Sequence, residues 1–131
     1  EKGKKYAIVG ESGCGKSTLL KILMNQIDNY QGKIKIDDND IKSFDPSSYY
    51  NKVTLIQQNV FMFKDTIKNN ICLYNDFSEE KFNKVIKQSG LLKTISLHEK
   101  GIDTIVGEGK VQLSGGELNR IAIARALIKD A

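Results

Sequence analysis

Residues 10–18 constrain the fold of this chain more than any other segment does. They read Gly-Glu-Ser-Gly-Cys-Gly-Lys-Ser-Thr and fit the pattern G-x-x-x-x-G-K-[S/T], with both glycines, the lysine and the hydroxyl residue in register. A short apolar run at residues 6–9 precedes the pattern, and residues 18–24 follow it with helical spacing and no helix breaker. The sequence therefore predicts a strand, a glycine-rich loop and a helix in succession, which is the context in which this pattern binds phosphate.

Each residue type in this loop suits the binding of a nucleotide. Glycines let successive N–H groups point inward, and a helix start adds partial positive charge, so the loop binds di- or triphosphate oxygens. We expect Lys16 on the β- and γ-phosphates, the Ser17 hydroxyl on a bridging Mg²⁺, and Thr18 on the α-phosphate side. The predicted binding residues of the loop are Gly10, Ser12, Gly13, Cys14, Gly15, Lys16, Ser17 and Thr18. The alternative is a glycine-rich turn that only caps a helix, but it does not account for the matching context.

Composition is that of an ordinary globular domain. The 131 residues are 40% apolar and 27% charged, which suits one core, and the net charge of +4 is spread without the basic stripe of a nucleic-acid binder. A disulfide at Cys14 would block the phosphate loop, so we expect a reducing cytosol. No run approaches the roughly 20 apolar residues of a membrane span, so we expect this segment to be soluble.

Two more strands are predicted before residue 58. Residues 33–36 alternate polar and apolar side chains, as an edge strand does, and residues 53–56 form an apolar run that predicts a second core strand. Residues 37–40 are acidic but lack the glycine and closing Glu of a calcium loop, so they predict a hairpin turn. Residues 45–48, which include the chain's only proline, predict a helix start or turn.

A run of short helices is predicted from Thr66 to about Ser96. Apolar residues recur there at helical spacing, Ser78 precedes two acidic residues as a helix cap does, and Gly90 ends that helix. The absence of a strand pattern indicates a helical subdomain inserted into an α/β unit. The single histidine, His98, has no cysteine or carboxylate cluster around it and is interpreted as a surface or loop residue.

Residues 113–117, Leu-Ser-Gly-Gly-Glu, form a second candidate anion site. They follow a polar glycine-bearing loop at 104–112 and open a helix that is apolar over most of its circumference, so we predict that this helix is largely buried. Ser114 as N-cap with two glycines beside it exposes several backbone N–H groups. A plain helix cap has the same sequence, but two such helix starts favour a nucleotide held between two surfaces.

Together these motifs resemble the nucleotide-binding domain of an ATP-binding cassette (ABC) transporter. Residues 10–18 match Walker A, Gln58 matches the Q-loop glutamine, and residues 113–117 match the signature, in order and spacing over essentially the whole chain. Residues 58–71 and 104–108 resemble exporter-type half-transporters rather than importer ATPases.

The resemblance implies an α/β fold, a P-loop NTPase (RecA-like) core with an inserted α-helical subdomain, incomplete at the C-terminus because the chain stops before the family's Walker B strand. It divides the chain into a partial core with Walker A at 1–57, the Q-loop and helical subdomain at 58–112, and the signature with its helix at 113–131. Without Walker B, this segment is expected to bind Mg-ATP weakly and not to hydrolyse it.

The resemblance also implies how the site works. Two such domains form a head-to-tail dimer that sandwiches two ATP molecules with Mg²⁺, each between one Walker A and the partner's signature. Lys16 and Gln58 are the implied catalytic residues, and Ser17 and Gln58 the implied metal ligands. The signature residues implied to contact the partner's ATP are Ser114, Gly115 and Gly116.

The implied partner besides a second nucleotide-binding domain is a transmembrane domain of the same transporter. Glu108 and an aromatic patch of Phe61 and Phe63 lie where family members receive its coupling helices. The full-length protein is therefore expected in a membrane, with this segment on the cytoplasmic face and without a nucleic-acid partner. The resemblance implies that the transported substrate is selected by the membrane domain.

Three departures and two alternatives bear on this resemblance. Glu117 replaces the usual signature glutamine, Lys110 stands where glycine is common, and Asp38 stands where the hairpin usually has glycine. One alternative is a soluble ABC-type ATPase acting on DNA or ribosomes, but the coiled-coil insertions or basic arms that mark that class do not occur here. The other is a nucleotide kinase or GTPase, which leaves residues 113–117 unexplained.

Overall fold

The computed structural model describes residues 3–131, which divide into two compact units, one ending at Val53 and one spanning Thr54–Ala131. The elements of the first unit are α1 (Lys16–Leu23), β1 (Lys35–Ile36), β2 (Asn39–Asp40) and α2 (Pro46–Lys52). Those of the second are β3 (Asp65–Thr66), α3 (Ile67–Cys72), α4 (Glu79–Gln88), α5 (Leu92–Ser96), β4 (Ile105–Val106) and α6 (Gly115–Ile128). Mixed helix and strand in this order agree with the α/β class.

The predicted hairpin turn is confirmed. Strands β1 and β2 pair antiparallel with Lys35 opposite Asp40, and Asp37 and Asp38 between them have φ of 48° and 66°. A tight two-residue hairpin loop requires such left-handed backbone, which aspartate tolerates better than most residues do. The hairpin extends one hydrogen bond beyond β1, from the Ile41 N–H to the Ile34 carbonyl at 2.9 Å, and the edge strand is shorter than the alternation of residues 33–36 predicts.

Helix α2 begins where the sequence predicts it. The Asp45 side chain accepts a hydrogen bond from the Ser48 backbone N–H at 2.9 Å, and Pro46 occupies the first turn, where its missing N–H costs nothing. The Tyr49 hydroxyl donates to the Leu23 carbonyl, and the Tyr50 hydroxyl donates to the next carbonyl at 2.9 Å. These bonds join α2 to the end of α1, so the two tyrosines are structural residues here.

Two predicted strands are wrong. Residues 6–9 and 53–56 lie outside any helix or strand, and Val9 is 88% exposed. A strand exists only through hydrogen bonds to a neighbour, and the pairing among residues 3–131 is confined to two antiparallel ribbons of two strands each, apart from one isolated bridge between Val106 and Val111. The parallel core sheet expected of the RecA-like fold is therefore not formed within the described residues.

The helical run after Thr66 is confirmed, and it supplies the core of the second unit. Ser78 caps α4 by accepting from the Lys81 N–H at 3.3 Å, and Gly90 follows the end of that helix. One face each of α3, α4 and α6 contributes to a single apolar core, in which every side chain is at most 7% exposed. The core residues are Ile67, Ile71, Cys72, Phe82, Val85, Ile86, Leu91, Val106, Ile121, Ala124 and Ile128.

The prediction that the helix after residue 114 is largely buried is only half right. Ile121 and Ala124 of α6 are fully buried against α3 and α4, but Ile123 on another face is 38% exposed. A helix that is apolar on all sides can be buried on any face. Which face is actually buried depends on the elements that pack against it. Within the described residues, only one face of α6 has such neighbours.

Strands β3 and β4 were not predicted; they pair antiparallel with Thr66 opposite Ile105. Each strand has only two residues, too few for an alternating pattern to be detected. Gly107 follows β4 with φ of 106°, and a Cβ there would lie 3.0 Å from the Phe63 carbonyl oxygen. The ribbon therefore packs the 104–112 loop directly against the segment that precedes α3.

We predict that Ile121→Ala lowers the free energy of unfolding by about 2–5 kcal/mol, because it leaves a cavity in the core. Ile123→Ala on the same helix is the matched control and is expected to cost less than about 1.5 kcal/mol, since its side chain is already part-exposed. Urea denaturation of the full-length protein, followed by circular dichroism, measures both. Equal losses would contradict the burial assigned to α6.

Candidate nucleotide-binding site

The loop at residues 10–15 turns directly into α1. Gly15 precedes the first helical residue with φ of 94° and ψ of 9°, a left-handed conformation that a side chain would strain. The Cys14 N–H donates to the Glu11 carbonyl at 3.3 Å, which curls the loop. The first N–H groups of α1 have no partner inside the helix and carry its partial positive charge.

Lys16 folds back over this loop. Its ammonium donates to the Gly10 carbonyl at 2.8 Å and to the Glu11 carbonyl at 2.6 Å, and lies 3.5 Å from the Cys14 sulfur. These partners are neutral, so they position the ammonium without cancelling its charge. The arrangement places a cation beside the helix start, where both attract an anion.

The donor set of this loop fits a nucleotide phosphate. The loop is open at two of its glycines, because a Cβ added at Gly13 or Gly15 would meet nothing within 4 Å. Ser17 and Thr18 lie exposed in the first turn of α1, where their hydroxyls are free to face a ligand. No group of three or more His, Cys, Asp or Glu residues suited to a metal occurs among residues 3–131.

Both cysteines are free thiols. Cys14 is exposed in the phosphate loop, whereas Cys72 is buried at the end of α3. Burial raises the pKa of the Cys72 thiol. Cys72 is therefore a core residue, and Cys14 is the thiol that a ligand in the loop would cover.

The second predicted site lies at the start of α6, in the second unit. Ser114 is the N-cap, as predicted, and its hydroxyl accepts from the Glu117 N–H at 3.4 Å. The Glu117 carboxylate in turn accepts from the Ser114 N–H and the Ser114 hydroxyl, both at 2.8 Å. Gly115 and Gly116 are exposed in the first turn. This reciprocal capping box means that a carboxylate of the chain itself already binds the Ser114 donors.

Glu117 is held ionised by this arrangement. The Ser114 backbone N–H, followed by the Ser114 hydroxyl, keeps the pKa of the Glu117 carboxyl below its usual value, with smaller effects in the same direction from Thr94 and His98. The negative charge lies at the positive end of α6, which stabilises the helix. The sequence predicted Glu117 only as a departure from the usual glutamine, not as a cap.

Gln58 lies exposed in a bend of the loop between residue 53 and β3. The predicted site residues therefore occupy one loop in the first unit and two positions in the second. Sequence reasoning missed Asn70 of α3 and Arg125 of α6, which form a polar network beside the loop that follows Gln58. They stand 55 residues apart, so no local pattern could have paired them.

An aromatic patch follows Gln58 in the chain. Phe61 is 70% exposed and meets Phe63 edge to face at 5.1 Å between ring centroids, and Phe63 meets Tyr74 at 6.4 Å. The Tyr74 hydroxyl donates to Asp65 at 2.6 Å, which lowers the pKa of the Asp65 carboxyl and raises that of Tyr74.

A groove of about 320 Å³ lies in the same unit. Glu108 is exposed on the 104–112 loop and lines this groove together with Val60, Met62 and Leu118. The unit therefore presents exposed aromatic rings and a groove with an acidic rim, both suited to a protein partner.

Comparison with known proteins agrees with these features. The family model described as "ABC transporter" matches residues 1–131. The chain is similar to the ATP-dependent lipid A-core flippase of Pectobacterium atrosepticum, with 42% identity over 98% of this chain and 22% of that protein. Proteins of the same name from Salmonella typhimurium and Escherichia coli K12 are 40% and 39% identical over the same shares.

The chain thus spans about a fifth of the length of these curated relatives. No helix among residues 3–131 combines the length and the apolar character needed to cross a bilayer.

We predict that Glu117→Gln destabilises the protein near neutral pH by about 0.3–1 kcal/mol and that the difference fades in acid. A carboxyl whose pKa is lowered by folding stabilises the folded state above its unfolded pKa, and this contribution is lost as the pH falls through the lower folded value. The difference should therefore shrink once the pH drops below the ordinary value of 4.5.

Urea denaturation at a series of pH values measures this difference. Glu99→Gln, at an exposed turn position, is the control and should show no such fading difference. A Glu117→Gln effect that is constant from neutral to acid pH would rule out a charge-dependent cap.

Proposed function

Because the chain belongs to the ABC transporter family, we propose that it is the ATP-binding part of an exporter whose full-length form hydrolyses ATP to move a substrate across a membrane. The observation that carries the proposal is the loop at residues 10–15, in which the Lys16 ammonium is held by neutral carbonyls beside the start of α1. The relatives named above are flippases for a lipid, so a lipid is the first candidate substrate.

In this proposal the nucleotide is ATP with Mg²⁺. The residues that would hold its phosphates are Gly10, Ser12, Gly13, Cys14, Gly15, Lys16, Ser17 and Thr18. Lys16 offers positive charge and Ser17 a hydroxyl oxygen of the kind that Mg²⁺ prefers. Bound Mg²⁺ supplies charge neutralisation of the phosphates during phosphoryl transfer. The chain's own contribution is to orient the phosphates along the first turn of α1.

The remaining site residues would act across a head-to-tail dimer of two such domains. Ser114, Gly115 and Gly116 offer exposed donors at the start of α6 for the ATP held by the partner domain. Before they do so, the Glu117 carboxylate must release the Ser114 N–H and hydroxyl, both of which it binds at 2.8 Å. Gln58, exposed in its bend, would contact Mg²⁺ or orient the attacking water.

The proposed partner of the aromatic patch is the transmembrane domain of the same transporter, which would place this part of the protein on the cytoplasmic side of the membrane. Phe61 and Phe63 offer exposed rings, and the groove beside Glu108 offers an acidic rim. An exposed aromatic cluster is the kind of surface that a protein partner buries.

We predict that Lys16→Ala in the full-length protein weakens ATP binding about ten- to a hundredfold, because charge-assisted hydrogen bonds to phosphate are lost. Lys21→Ala is the matched control: it removes the same charge from an exposed position of the same helix and should leave the affinity within about twofold. Titration with a fluorescent ATP analogue measures both. Equal affinity in the Lys16→Ala and unaltered proteins would contradict the proposal.

We also predict that Phe61→Ala lowers ATPase activity about tenfold in the full-length protein while the affinity for ATP stays within about twofold, because a partner-facing ring is lost without a change at the loop. Leu97→Ala is the control, since Leu97 is similarly exposed at 68% but lies away from the patch in sequence. Steady-state hydrolysis and the same titration separate the two effects. Unchanged hydrolysis in Phe61→Ala would remove the patch from the proposal.

A further inference from the structure

Arg125 brings a part-buried guanidinium into the second unit, where its hydrogen-bond partners are neutral groups. Its Nε donates to the Asn70 backbone carbonyl at 2.6 Å, and one terminal nitrogen donates to the Phe61 carbonyl at 2.8 Å. The other terminal nitrogen lies 3.2 Å from Asn70 Oδ1 and 3.7 Å from the Met62 sulfur. No ion pair to Arg125 occurs among residues 3–131, and burial lowers its pKa. The charge therefore depends wholly on neutral acceptors around it.

Asn70 fixes the backbone that supplies these acceptors. It is fully buried, and its amide nitrogen donates to the Phe63 and Thr66 carbonyls, each at 3.0 Å, and to the Asp65 carbonyl at 3.3 Å. Its amide oxygen accepts from the Phe63 N–H at 2.9 Å. One side chain thus binds backbone groups of three residues between Gln58 and α3.

We propose that Asn70 and Arg125 are positioning residues that couple the segment following Gln58 to α6, and through α6 to Ser114. This inference rests on the proposed function, in which Gln58 and Ser114 act on nucleotide. Gln58 stands three residues before Phe61, whose carbonyl Arg125 binds. Ser114 caps the helix that carries Arg125, about 16 Å away along its axis at the usual helical rise.

The coupling follows from the rigidity of both ends. The guanidinium is a planar fork that meets several acceptors at fixed angles, and α6 is one continuous helix from Gly115 to Ile128. A shift of the Phe61 carbonyl must therefore either carry Arg125 and α6 with it or leave buried donors without acceptors, which is costly. Lysine keeps the charge but offers a single point of attachment, so it cannot hold Phe61 and Asn70 together in the same way.

A double-variant cycle on ATP hydrolysis by the full-length protein tests the proposal. The variants are Gln58→Ala, Arg125→Lys and the two combined. We expect Arg125→Lys to lower kcat about tenfold with KM for ATP within about twofold, since the phosphate loop is untouched. The kcat of the combined variant should be no more than about threefold lower than that of the slower single variant, because both substitutions interrupt the same connection.

Lys84→Gln provides the control, because Lys84 is exposed on α4 and its effect should multiply with that of Gln58→Ala. If Arg125→Lys does not fold, as judged by its melting transition, Asn70→Ser replaces it in the cycle with the same expected pattern.

The coupling would be overturned if the reductions in kcat caused by Arg125→Lys and Gln58→Ala multiply in the combined variant. It would also be overturned if Arg125→Lys changes only the KM for ATP. Full-length protein without ATPase activity would overturn the proposed function and this inference together. Lys16→Ala binding data separate the two failures, because they test the nucleotide site without involving Arg125.

Discussion

The packing of α3 against α6 is the interaction on which the second unit depends. Ile67 and Ile71 on one helix meet Ile121 and Ala124 on the other, and each of these side chains is at most 1% exposed. Removal of this apolar surface from water supplies the main stabilisation, and it fixes where both helix ends point. The start of α6 is thereby oriented by the core, so the donors at Ser114 inherit their position from residues that never touch a ligand.

The first unit is held together differently. Its described residues include few buried side chains. The hydrogen bond from the Tyr49 hydroxyl to the Leu23 carbonyl joins α2 to α1, and the Asp45 cap stabilises the start of α2. The phosphate loop needs little more than this, because its geometry comes from Gly15 and from the Lys16 contacts with loop carbonyls. These contacts lie within residues 10–16, so they do not require residues 6–9 to form the expected strand, and those residues lie outside any strand in the structure.

Sequence predicted the features that are decided within a few residues. Helix starts at Ser78 and Ser114 were correct because an N-cap acts on N–H groups two or three positions away. The prediction of strands at residues 6–9 and 53–56 was wrong because a strand needs a hydrogen-bonding partner elsewhere in the chain. An apolar run shows only that its residues are compatible with a strand. The Arg125 contact with Asn70 was not predicted for the same reason, since two polar residues 55 positions apart produce no periodic pattern.

The helix cap and the proposed anion site at the start of α6 use the same donors. The N–H and hydroxyl of Ser114 bind the Glu117 carboxylate at 2.8 Å, so the site is electrostatically satisfied from within. In the proposed dimer, a phosphate at Ser114 would have to displace that carboxylate or share the helix start with it, and two anions there would repel each other. Glutamine at the same position could cap the helix without this repulsion. The Glu117 carboxylate therefore stabilises the free helix, and in the proposed dimer it would oppose phosphate binding at the start of α6.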